Sequence, residues 1–219
     1  MKKHLPFLLI FFFLLFLFTF FSYLVHKDLF TQFDFDITVK LQDNISRGFD
    51  TPFSYLSLVG SFEIATAFLL LLLILFKKLK GIFVLFFFGF LHIPELFGKM
   101  YVNHPGPPFM FFRYDIDFLF PSSYVQPGSS YPSGHSARAV FISIVFFYLI
   151  YKSGLTRYQK YIIYALILTF DAAMLVSRVY LAEHWSSDVI GGAILGAAFA
   201  VLSLIFLSPF IKKSLTKNQ

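Results

Sequence analysis

The stretch LPFLLIFFFLLFLFTFFSYLV, residues 5–25, decides the fold class. It carries no charged side chain, and its 21 residues, rising about 1.5 Å each as a helix, reach across the ~30 Å hydrocarbon layer of a bilayer. Lys2 and Lys3 ahead of it resemble the basic start of a signal peptide. The apolar run outlasts the usual signal-peptide core, however, and Phe20, Phe21 and Tyr23 stand where a cleavage site needs small residues. The run reads as a membrane span. Outward from it, apolar runs at 52–76, 81–97, 136–151, 161–181 and 188–210 predict five more spans. The composition agrees: 58% of residues are hydrophobic and 14% charged, more apolar surface than one soluble core of 219 residues can hide. The expected fold is all-α and polytopic, six transmembrane helices in one bundle, with residues 1–219 as a single transmembrane domain.

Charge gives the orientation. Lys2 and Lys3, then Lys77, Lys78 and Lys80, then Lys152, Arg157 and Lys160, then Lys212, Lys213 and Lys217 fall in alternate connections that hold no Asp or Glu. Asp28, Asp34, Asp36, Asp43, Asp50, Asp115 and Asp117 all fall on the other side. The excess of Lys and Arg on one side predicts both termini in the cytoplasm and residues 27–51, 99–131 and 182–187 on the outer face of the cell membrane. This distribution accounts for the net charge of +6 without nucleic acid as a partner. There is no Cys, so neither a disulfide framework nor a thiolate metal site is available.

Residues 33–45 fit either a strand, by the alternation of Phe33, Phe35, Ile37, Val39 and Leu41, or a helix face, by Phe33, Ile37, Leu41 and Ile45. A lone strand at a membrane has no ladder partner, so an amphipathic helix lying in the headgroup layer is expected. Thr51 and Pro52 read as the N-cap and first turn of the second span. Gly192 and Gly196, with Ala193 and Ala197, let the last span pack closely on a neighbour.

Two polar clusters arrive on the outer face. In the first, Pro132-Ser133-Gly134-His135, Ser133 can cap the fourth span, Gly134 admits close backbone approach, and the free N–H groups form an anion site facing His135. In the second, Arg178 follows Ser177 at the end of the fifth span, with His184 and Asp188 beyond it. Arg178 offers a planar fork of donors suited to phosphate oxygens. His184 and Asp188, four apart, share a face if helical, so that the carboxylate can hold one ring nitrogen protonated. Taken singly, Ser133 and Asp188 are ordinary caps, His135 an interfacial residue and Arg178 a snorkelling side chain; their joint arrival on one face has no equally plain explanation.

The quoted residues Pro132-Ser133-Gly134-His135 and Ser177-Arg178-x5-His184-x3-Asp188 resemble the second and third signature motifs of the type 2 phosphatidic acid phosphatase (PAP2) superfamily. The resemblance implies a helical bundle that removes phosphate from a membrane lipid phosphate or diphosphate without metal or other cofactor. It implies that His184 attacks phosphorus to form a phosphohistidine, Asp188 orients it, and His135 protonates the leaving oxygen. Ser133, Gly134 and Arg178 would bind the phosphoryl oxygens. A first motif, Lys, six residues, Arg-Pro, is matched in part: Lys99 and Pro107 are present, while Gly106 stands where Arg is expected. Lys99 joins the phosphate ligands, and His104, Arg113 or Arg138 would replace the missing Arg. Arg138, three residues after His135, lies near it on the same helix face and resembles an Arg of some polyisoprenoid diphosphate phosphatases. Undecaprenyl diphosphate, phosphatidylglycerol phosphate and phosphatidic acid are compatible substrates. Competing readings are a lipid phosphotransferase and a lipid-binding or transport protein on the same scaffold, the latter favoured by Gly106. Asp171, on the fifth span, is expected to be an internal hydrogen-bond partner, and Glu95 to position Lys99.

Overall fold

The structure, a computed structural model, describes residues 4–77, 81–118, 120–121 and 129–215. Lys2, Lys3, Lys78, Lys80 and Lys217, part of the charge asymmetry, lie outside the described residues. Helices α1 (Leu5–His26), α2 (Thr31–Asn44), α3 (Asp50–Val59), α4 (Phe62–Leu75), α5 (Ile82–Phe90), α6 (His92–Tyr101), α7 (Gly134–Tyr151), α8 (Arg157–Tyr180) and α9 (Ser186–Leu215) follow one another along the chain. The protein is all-α and multi-spanning. Among the described residues five helical segments are long and apolar enough to cross a membrane: α1, α5 with α6, α7, α8, and α9 as far as Leu207. A sixth is made only if the bent pair α3 and α4 counts as one span.

The small residues of the last span set the centre of the bundle. A Cβ on Gly192 would stand 2.2 Å from the Ser133 carbonyl oxygen, and one on Gly196 2.2 Å from that of Ala137. The α7 and α9 backbones therefore touch along one turn, Ser133 and Ala137 against Gly192 and Gly196, the close crossing that small residues four apart permit. α1 also packs on α9. It buries Phe18 and Val25 while Phe12, Phe13, Phe16 and Phe20 stay on the outer surface, where lipid is their solvent. Near its end Ser22 Oγ meets Tyr131 OH at 2.8 Å, tying the segment ahead of α7 to the first span.

Several expectations are corrected. The second span is not one straight helix, for α3 and α4 meet at Gly60 and Ser61 with a 60° bend, and Ser61 caps α4 through a bond from Ile64 N–H. Thr51 is inside α3 rather than its N-cap, and its hydroxyl donates to Asp115 Oδ2 at 2.7 Å. The third span runs on to Tyr101, which brings Lys99 out of the loop and onto the last turn of α6. The fifth begins at Arg157, four residues early, behind a Thr156–Gln159 capping box that satisfies its first N–H groups.

Residues 31–44 are helical as expected, but the side buried most deeply carries Asp34 and Thr38, while Phe33 and Phe35 stay exposed. The pull inward is polar: α2 docks on α8 and α9, and Gln42 reaches the carbonyls of Phe111 and Tyr180 at 2.7 and 2.8 Å.

Candidate functional site

α7 begins with Ser133 as its N-cap, the hydroxyl accepting from Ser136 N–H. The N–H groups of the first turn have no intrahelical partners, so with Ser136 satisfied by the cap those of Gly134 and His135 remain for an anion. Gly134 has a second role that the sequence did not reveal. A Cβ there would stand 2.2 Å from Glu95 Oε1 and 2.8 Å from Arg138 Nη1, so only Gly lets this acid and base close over the start of the helix. Glu95 is held by His92 Nδ1 at 2.7 Å and faces Arg138 Nη1 at 4.0 Å. Arg138 donates from Nε to the Gly60 carbonyl at the bend, 3.0 Å away, and its Nη2 lies 3.5 Å from His135 Nδ1. The bend in the second span thus supports the base beside His135.

α8 ends in a Schellman motif: Ala182 N–H bonds to Val179 O, and Glu183 N–H to Arg178 O. Ala182 takes the left-handed position, φ 54°, where glycine is the usual occupant. The reversal puts Glu183 and His184 back over the helix end. Arg178 is wholly buried, its Nε and Nη2 bonded to Ser177 Oγ and its Nη1 to both Ser57 Oγ and the Glu183 carboxylate. The fork read as a phosphate ligand is therefore occupied by an internal carboxylate.

The start of α9 holds Asp188, fully buried. It is the third residue of the helix rather than its N-cap, and its Oδ2 accepts from Trp185 N–H at 2.9 Å, as the acidic member of a capping box does. The same oxygen accepts from Ser130 Oγ, and Ser130 Oγ lies 3.1 Å from His184 Nδ1. The direct distance from His184 Nδ1 to Asp188 is 3.5 Å, so Ser130 links the two. The other oxygen, Oδ1, meets His104 Nδ1 at 2.8 Å, and His104 Nε2 faces Asp34 at 3.8 Å. Asp34 in turn accepts from Ser187 N–H at 2.7 Å and Ser187 Oγ at 2.6 Å. Burial pushes the Asp34 carboxyl above the ordinary range, against the pull of the Ser187 bonds. Burial also works against charge on His104, but the hydrogen bond with Asp188 and the charges of Asp188, Asp34 and Asp28 outweigh it, so His104 keeps its proton to higher pH than an ordinary His.

The helix ends converge. Arg178, Arg138, His184 and Lys99 all lie within electrostatic reach of His135, and Lys99 also within reach of Glu95 and Asp188. The structure brings together every residue of the two complete motifs. Of the candidates to replace the missing Arg, Arg138 is beside His135, His104 faces Asp188, and Arg113 is elsewhere, over the Tyr180 ring and bonded to the Gln42 carbonyl. Gly106 lies next to Ser130, where a Cβ would find it at 3.7 Å, so its place in the partial motif is beside the His184 network. Ser130, Asp34 and Glu183 were missed from sequence. Asp171 bonds Ser143 Oγ at 2.7 Å, between α7 and α8, as its depth suggested.

The model of the PAP2 superfamily matches residues 77–212. The chain belongs to the PAP2 superfamily. Its fold is similar to the crystal structure of the first transmembrane PAP2 type phosphatidylglycerolphosphate phosphatase from Bacillus subtilis, at TM-score 0.69 and 21% identity over 95% of this chain and 98% of that one. It is also similar to Aquifex aeolicus LpxE, at TM-score 0.58 and 22% identity over 78% of this chain and 94% of that one. No curated protein sequence matches it. The chain is a hydrolase of the metal-independent PAP2 type.

Proposed function

We propose that the chain removes phosphate from a lipid phosphate or diphosphate through a phosphohistidine on His184. The observation that carries this reading is the engagement of His184 Nδ1 by Ser130 and Asp188, which leaves Nε2 as the free nitrogen, beside a ring of cations centred on His135. The Nε2 lone pair attacks phosphorus, the bond to the leaving oxygen breaks, and His135 gives that oxygen its proton. Water then attacks the phosphohistidine, His135 takes a proton from the water, and the P–N bond breaks to free phosphate and His184. Lys99, Ser133, the N–H groups of Gly134 and His135, Arg178 and Arg138 bear the charge of the equatorial oxygens, the main demand of phosphoryl transfer. Arg178 exchanges Glu183 for phosphate as the substrate enters.

The chain crosses the membrane six times, counting α3 and α4 as one bent span. Both termini are cytoplasmic and the site opens at the outer leaflet, a reading supported by the distribution of Lys and Arg. Phosphatidylglycerol phosphate, undecaprenyl diphosphate and phosphatidic acid are the substrates to compare, the first also suggested by the activity named for the Bacillus subtilis relative. The test is phosphate release from each by detergent-purified protein in EDTA, beside His184→Ala. Wild-type release that falls by about 10³-fold or more in the variant is the expected result. Undiminished release by His184→Ala sinks the mechanism.

A further inference from the structure

Behind the nucleophile lies a second histidine that the hydrolysis scheme does not use. His104 is buried and clamped by the segment ahead of α7, its N–H directed to Ser129 Oγ and its carbonyl accepting from Ser130 N–H. Its ring lies between two buried carboxylates, Asp188 on α9 and Asp34 on α2, with Asp28 from the α1–α2 connection also acting on it. We propose that His104 is a positioning residue for the nucleophile: its imidazolium fixes one oxygen of Asp188 so that the other can hold Ser130 and His184. It also offsets a carboxylate charge that would otherwise favour a proton on the attacking ring.

The geometry gives each part a task. With Oδ1 held by His104, Oδ2 is left to Ser130 and Trp185 N–H, so the carboxylate cannot rotate away from His184. The raised affinity of His104 for its proton places a positive charge 2.8 Å from the carboxylate facing His184. The other groups acting here are Lys99, within electrostatic reach of Asp188, and His135, within reach of His184. Without the His104 cation the full charge of Asp188 favours the His184 imidazolium, in which Nε2 carries a second proton and has no lone pair for attack.

The proposal rests on His184 as nucleophile, and the experiment separates the two. kcat/KM for phosphatidylglycerol phosphate and undecaprenyl diphosphate is measured against pH for the full-length wild type, His104→Gln, Asp34→Asn and His184→Ala. In His104→Gln the acid limb moves up by about one pH unit, a loss of about tenfold near pH 6 that shrinks to within about threefold near pH 8. Asp34→Asn, which weakens the hold on the His104 proton, moves the limb in the same direction by less. Stability gives a second readout. Because folding raises the proton affinity of His104, its contribution is full below the ordinary His range and fades as pH rises, so the Tm advantage of wild type over His104→Gln narrows with pH. A loss of equal factor at every pH, or an unmoved limb, overturns the proposal while leaving the nucleophile in place. A fully active His184→Ala, or a wild type that releases no phosphate, overturns both. If His104→Gln does not elute as folded protein, Asp34→Asn decides, and an unmoved limb there is refutation.

Discussion

Two helix N-termini meet at the centre of the molecule, and they are furnished in opposite ways. α7 opens on a neutral cap, Ser133, with Gly134 behind it and cations around His135. α9 opens on two carboxylates of its own protein, Asp188 on Trp185 N–H and Asp34 on Ser187 N–H. Both termini attract negative charge through the partial charges of their free N–H groups. One has that demand met from within, while the other keeps it open and, in the proposed mechanism, meets the substrate. Motifs that look equivalent in sequence, each a Ser near a helix start, therefore do different work.

The comparison is broken most severely by Asp188→Asn, which strips the α9 terminus of its own charge, leaving His184 without its carboxylate and His104 with Asp34 alone; a fall of about 10³-fold in phosphate release is expected, by analogy with other orienting carboxylates. A paired test follows. Ser133→Ala is expected to cost about 10²-fold in kcat, as loss of a donor to a developing charge does. Ser187→Ala, by contrast, is expected to appear first in thermal unfolding, at about 1–3 kcal/mol for a buried carboxylate that loses a donor. Equal effects of the two on kcat would erase the distinction between the termini. Gly106→Arg sharpens the comparison by adding a cation on the substrate side: with room at 3.7 Å for the new Cβ, kcat/KM is expected to rise by about three- to tenfold. Smallest is Ala182→Gly, which relieves the left-handed residue of the α8 reversal; a gain of about 1 kcal/mol in stability with little change in rate is expected from thermal unfolding.

Most of the apolar span pattern and the two complete motifs were legible in the sequence because both signals are local. A run such as residues 5–25 is by itself long and apolar enough to cross a membrane, and His184 and Asp188 are only four residues apart. The bend at Gly60 was hidden because Gly and Ser are common inside apolar runs, and only the carbonyl that Arg138 seeks gives the break a purpose. Asp34 meets Ser187 across 153 residues of chain and Ser130 meets Asp188 across 58, and no spacing rule links either pair. Asp34 was further disguised by periodicity: Phe33, Ile37, Leu41 and Ile45 suggested an apolar face, whereas α2 docks through polar bonds, Asp34 with Ser187 and Gln42 with the Phe111 and Tyr180 carbonyls. His104 was suspected as a stand-in for the missing Arg, and its role changes because it faces the carboxylate.

The ion pair between Arg178 and Glu183 bears on turnover rather than on chemistry. In the proposed mechanism Arg178, which already holds a carboxylate, binds phosphate by swapping one anion for another, so the headgroup gains only the difference between the two partners. Much of the hold on a lipid substrate then falls to its tail among the helices, and orthophosphate, which has no tail, is displaced by a carboxylate waiting at the next residue to His184. Under that proposal the enzyme carries its own eluent, and release of the product is built into the resting ion pair.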